Sequence, residues 1–139
     1  MTFPYTTLPG LPIDTKRPLI PIRFIYKEKS TLPILSLVDS GADYSYLTVE
    51  IADLLGISLK GIKPQKSFGI NGSPFLCFSS EITIDLAGDK ITIPVHFSPE
   101  LTPAFPVILG QEGFFSQAKI IFERYSWNLE IKFLEENRQ

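Results

Sequence analysis

A mostly β domain of barrel or folded-sheet type is predicted by three observations. Short apolar runs alternate with polar residues at regular spacing, turn formers separate them, and only one stretch carries a helical repeat. The 139 residues fall within the size of one domain that can bury a core without staples.

The first eighteen residues carry Pro4, Pro9, Gly10, Pro12 and Pro18, a density that forbids helix and predicts an extended arm over residues 1–18, lying on a surface or a partner. From Leu19 the chain alternates through Ile20, Ile22, Phe24 and Tyr26 and turns at Lys27-Glu28-Lys29-Ser30. It returns through Ile34-Leu35-Ser36-Leu37-Val38, a hairpin that delivers Asp39-Ser40-Gly41-Ala42 at its end. Thr48 is placed to cap a short helix, with Ile51, Ala52, Leu54 and Leu55 as its apolar stripe and Gly56 as its left-handed stop.

Ser67 to Phe75 encloses an Asn71-Gly72 pair between apolar flanks, a strong hairpin signal. Glu81 to Leu86, a turn over 87–90 and Ile91 to Phe97 predict a further hairpin. Phe105 to Gly110 forms a short apolar run closed by glycine, followed by one or two helical turns over 111–117. Ala118 to Arg124 and Leu129 to Phe133 make a last hairpin. Residues 19–134 thus form the domain, and residues 135–139 a polar tail.

Composition narrows the function classes. A net charge of -2 offers no basic stripe for nucleic acid or an anionic membrane, and no run approaches the ~20 apolar residues of a membrane span. The N-terminus lacks a basic start followed by an apolar run, so a soluble, cytoplasmic protein is expected. Cys77 is the sole cysteine, which excludes an intrachain disulfide and reads as a small buried hydrophobe. His96 is the sole histidine, on a strand face opposite Val95 and Phe97. One histidine and one cysteine do not make a His- or Cys-rich metal site, which leaves carboxylates as the catalytic candidates.

Asp39-Ser40-Gly41 alone is a common turn. Its context is more specific: a strand end holds the carboxylate, the glycine lets backbone N–H groups turn toward its oxygens, and Ala42 leaves room for a substrate backbone. Leu37-Val38-Asp39-Ser40-Gly41-Ala42-Asp43 resembles the apolar-apolar-Asp-Ser/Thr-Gly-Ala signature of the retropepsin-like aspartic proteases. Phe68 to Ser73 resembles that family's flap, and Val107-Ile108-Leu109-Gly110 its apolar-apolar-Gly element. The three lie in the family's order and span most of the chain.

The resemblance implies a retropepsin-like acid protease half-barrel with one or two short helices, active as a two-fold homodimer and cleaving peptide bonds in a peptide or protein substrate. Asp39 would be catalytic and would pair with its copy, because a single Asp-Ser/Thr-Gly is present. The mechanism that the resemblance implies requires no metal or organic cofactor. Ser40, Gly41 and Ala42 would support the catalytic loop; Asp43, Gly69, Ile70, Asn71 and Gly72 would contact substrate; Ile108, Leu109 and Gly110 would pack under the loop. The family often has an arginine after its apolar-apolar-Gly element, paired with the acid that corresponds to Asp43. Gln111 stands there in this chain, which leaves Asp43 to read polar substrate groups or to face water. The competing readings are a non-catalytic module on the same scaffold that dimerises or grips a peptide, and a generic β-barrel binding domain whose aspartate is incidental.

Overall fold

In the computed structural model, residues 1–8, 15–68, 72–102 and 104–135 are described. The part of the arm over 9–14, the hairpin tip Gly69-Ile70-Asn71 and the end of the tail lie outside them.

The predicted hairpin over 19–38 is present. Strand β2 (Leu19–Tyr26) runs antiparallel to β4 (Ile34–Val38) with Leu19 opposite Leu37, and the short β3 (Lys29–Ser30) pairs β2 beyond the turn. β5 (Tyr46–Thr48) leads into α1 (Val49–Leu54). Next come β6 (Gln65–Phe68), β7 (Pro74–Leu86), β8 (Asp89–Ser98) and β9 (Val107–Leu109). Strands β2, β4, β9, β5, β8 and β7 pair in that order, and β7 pairs back onto β2, so the sheet closes into a barrel.

Alternation explains which side faces in. Ile20, Ile22 and Phe24 of β2, Ile82, Ile84 and Leu86 of β7, Ile91, Ile93, Val95 and Phe97 of β8, and Val107 and Leu109 of β9 fill the interior. Ala87 and Gly88, both at positive φ, turn β7 tightly into β8, a shorter link than the 87–90 turn expected.

The helix departs from expectation in two ways. Thr48 occupies the N-cap position without a side-chain cap bond, because it is still the end of β5, where its N–H donates to Pro106 O at 3.0 Å. Leu54 is 62% exposed, while Ile51, Ala52 and Leu55 face the core: a helix of six residues presents one narrow apolar stripe. Gly56 ends it at φ +69°.

A second, three-stranded sheet joins the chain ends. β1 (Thr2–Pro4) pairs antiparallel with β11 (Asn128–Phe133), which pairs with β10 (Ala118–Glu123). The start of the arm is therefore a strand laid on the C-terminal hairpin of its own chain. Leu129, Ile131 and Phe133 of β11 pack into the core with Phe114.

Candidate active site

Asp39 follows β4 directly. β4 runs parallel to β9, with Val38 opposite Leu109, and the Asp39 N–H donates to Leu109 O at 2.9 Å. The loop that follows is stitched to the residues after β9: Gln111 N–H donates to Ala42 O at 2.8 Å and Glu112 N–H to Asp43 O at 2.9 Å. Gln111 also donates its side-chain Nε2 to Ser40 O at 2.8 Å. The carboxylate is oriented locally, because Asp39 Oδ1 accepts the Gly41 N–H at 2.9 Å.

Gly110 makes this contact possible. A Cβ there would lie 2.1 Å from Tyr44 O and 2.7 Å from Ala42 O, both backbone atoms, so the two loops approach to a distance that excludes a side chain. Its N–H donates to the buried Ser45 Oγ at 3.0 Å. Asp39 is half-buried, while Ser40, Gly41 and Asp43 are exposed and Ala42 is half-buried.

Asp39 opens onto a cleft of about 700 Å³. Gly41, Ala42 and Asp43 form one side, and Phe68, Pro74 and Phe75 of the β6–β7 hairpin form the other. Tyr46 and Ile108 lie between them, with Glu100 and Leu101 at the rim. The structure thus brings Asp39, Gly41, Ala42, Asp43 and Ile108 to one cleft. Leu109 and Gly110 sit beneath the loop, and Gly72 lies at the hairpin end at φ +78°, outside the set that lines the cleft. Gln111 reaches the loop backbone rather than Asp43, which fits its neutral amide.

Several residues at this site carry no motif that sequence reasoning could use. Tyr46, buried, sets its hydroxyl 2.6 Å from Ser67 Oγ on β6. Burial pushes this hydroxyl above its ordinary range, with the Ser67 bond acting in the opposite direction. Glu100 accepts the Leu76 N–H at 2.5 Å, and Ser98 Oγ donates to Leu76 O at 2.7 Å, so side chains satisfy β7 where it leaves β8. The alternation of Tyr44 and Tyr46 after the aspartate loop is the only hint in the sequence.

Cys77 and His96, far apart in sequence, meet with Sγ 3.6 Å from Nδ1, and Ser79 Oγ lies 3.2 Å from the same nitrogen. Burial pushes the Cys77 thiol up and the His96 imidazole down. Both shifts favour neutral forms, the opposite of a thiolate–imidazolium nucleophile. No group of three or more potential metal ligands is gathered among the described residues. Nor is any described helix long and apolar enough to cross a membrane.

No protein-family model matches the chain, and no curated protein does. Solved structures do. A retropepsin-like aspartic protease from Rickettsia conorii matches with a TM-score of 0.61 at 15% identity, over 93% of this chain and 88% of that one. The EIAV protease in complex with the inhibitor HBY-793 matches with a TM-score of 0.53 at 26% identity, over 69% of this chain and 83% of that one. The chain has a retropepsin-like fold.

Proposed function

We propose that the chain is one half of an aspartic endopeptidase, with Asp39 and Asp39 of a second copy forming the catalytic dyad in a homodimer. The observation that carries this reading is the setting of Asp39 at a strand end, backed by Leu109 O, with its carboxylate oriented by the Gly41 N–H and facing a peptide-sized cleft. The fold shared with the Rickettsia conorii and EIAV proteases supports it.

Two carboxylates at hydrogen-bond distance do not both ionise, so the dyad holds one proton. The ionised member takes a proton from a water whose oxygen attacks the scissile carbonyl carbon. The protonated member donates to the carbonyl oxygen. Collapse of the tetrahedral intermediate breaks the C–N bond as a proton passes to the departing nitrogen, releasing an amine and a carboxylic acid and leaving the dyad with one proton again. Ser40, Gly41 and Ala42 hold the loop; Gly41 faces the substrate backbone and Asp43 polar substrate groups; Ile108 lines the cleft instead of packing under the loop, and Leu109 and Gly110 form the bed beneath. Gly69, Ile70, Asn71 and Gly72 are proposed as further substrate contacts.

Digestion of a diverse peptide library across about pH 3 to 7, comparing wild type with the nearly isosteric Asp39→Asn, tests the reading. Cleavage by wild type alone is expected, with a solution mass near twice 15.6 kDa. Equal cleavage by both proteins, or a strict monomer that cuts, overturns it. A folded dimer that binds peptides and cuts none points to the non-catalytic module.

A further inference from the structure

A row of residues crosses five neighbouring strands at the cleft: Leu37 opposes Ile108, Ile108 opposes Tyr46, Tyr46 opposes His96, and His96 opposes Ser79. The next residues along these strands, Val38, Leu109, Leu47 and Phe97, are buried in the barrel, so strand alternation turns the row outward. Leu37, Ile108 and His96 are half-buried and Ser79 is exposed, as an outward row should be. Tyr46 is only 7% exposed.

What covers it is the β6–β7 stem and its aromatic surroundings. Phe75 meets the Tyr46 ring edge-on at 5.3 Å, His96 lies at 5.8 Å and Tyr44 at 6.5 Å, contacts that fix the ring's orientation. The hydroxyl then ends on Ser67 Oγ, in the strand opposite Phe75. One side chain therefore spans from the barrel wall to the hairpin, beside Ile108 and the Asp39 loop.

We propose that Tyr46 is a strut that sets how far the β6–β7 stem stands from the Asp39 loop and so limits the size of the substrate side chain accepted beside Asp39. The inference rests on the peptidase reading above. Tyr46 has two separable parts: the hydroxyl fixes the stem through Ser67, and the ring occupies space that a larger substrate group would need.

The test pairs a positional peptide library with hydrogen exchange of the β6–β7 amides, on the 139-residue protein and its Tyr46→Phe, Ser67→Ala and Tyr46→Val variants. Tyr46→Phe and Ser67→Ala are expected to exchange roughly 2- to 10-fold faster over Gln65–Phe68 and 74–77 and to raise KM by a similar factor, with side-chain preference unchanged. Tyr46→Val is expected to shift preference toward bulkier residues at one position flanking the cut by about 10-fold or more. Should Tyr46→Val fail to fold, Tyr46→Leu, closer in volume, reads the same preference. Wild-type exchange in both hydroxyl-loss variants, or an unchanged preference in the ring-loss variant, overturns the inference. A wild type that cuts nothing overturns the peptidase reading instead, and the exchange rates then decide the strut by themselves.

Discussion

Gln111 Nε2 donates to Ser40 O at 2.8 Å, so the residue after the apolar-apolar-Gly element holds the Asp39 loop by its backbone rather than by an ion pair with Asp43. A neutral amide suffices because its acceptor is a carbonyl.

Gln111→Ala is therefore expected to lower stability by about 1 kcal/mol, the net worth of one hydrogen bond, and to reduce the proposed peptidase activity more than Glu112→Ala, whose side chain makes no bond to the loop among the described residues. Urea unfolding and kcat/KM on one cleaved peptide check both.

Gly110→Ala should be far more damaging. A Cβ 2.1 Å from Tyr44 O meets backbone that cannot turn aside, and a loss of more than about 4 kcal/mol, or no folded protein, is expected. Gly88→Ala is the control. It sits at φ +97° with open space around it, and about 1 kcal/mol of backbone strain is expected in thermal unfolding.

Asp85 is buried and has two partners: Oδ1 accepts the Gly88 N–H at 2.8 Å and Oδ2 accepts from Arg23 Nη1 at 3.2 Å. Asp85→Ala is expected to cost about 1–3 kcal/mol. Arg23→Ala should cost under about 1 kcal/mol, because the arginine side chain is 43% exposed. Denaturant titration of the two single variants and the double variant reads their coupling.

His96 provides the pH dependence. Burial lowers its folded pKa below the ordinary 6.5, so between the two values the unfolded chain binds more protons and stability rises with pH. The contribution is present above pH 6.5 and is lost as pH falls through the folded value. His96→Gln should flatten this slope, measured as melting temperature from pH 7.5 down to about pH 5; an unchanged slope would assign the loss to other groups.

Much of the fold was legible from local signals. The hairpin ending on Asp39, the left-handed stop at Gly56 and the 81–97 hairpin are read from alternation and turn chemistry, which act over a few residues. The exposure of Leu54 was not, since two adjacent leucines fit a helical stripe equally well and only packing of the short α1 selects Leu55.

At the candidate site, the sequence by itself determined the chemical groups: one Asp-Ser-Gly-Ala turn on a rigid strand, a glycine after an apolar run, and a single histidine and cysteine that make carboxylates the candidates for the proposed chemistry. Tertiary structure decided which of these meet. Closure of β7 onto β2, the tie from Gln111 to Ser40, the reach of Tyr46 to Ser67 and the meeting of Cys77 with His96 join residues separated by 19 to 71 positions. Such contacts leave no periodicity in the chain, because they depend on how the strands close around a common core, not on the backbone preferences of the residues that make them.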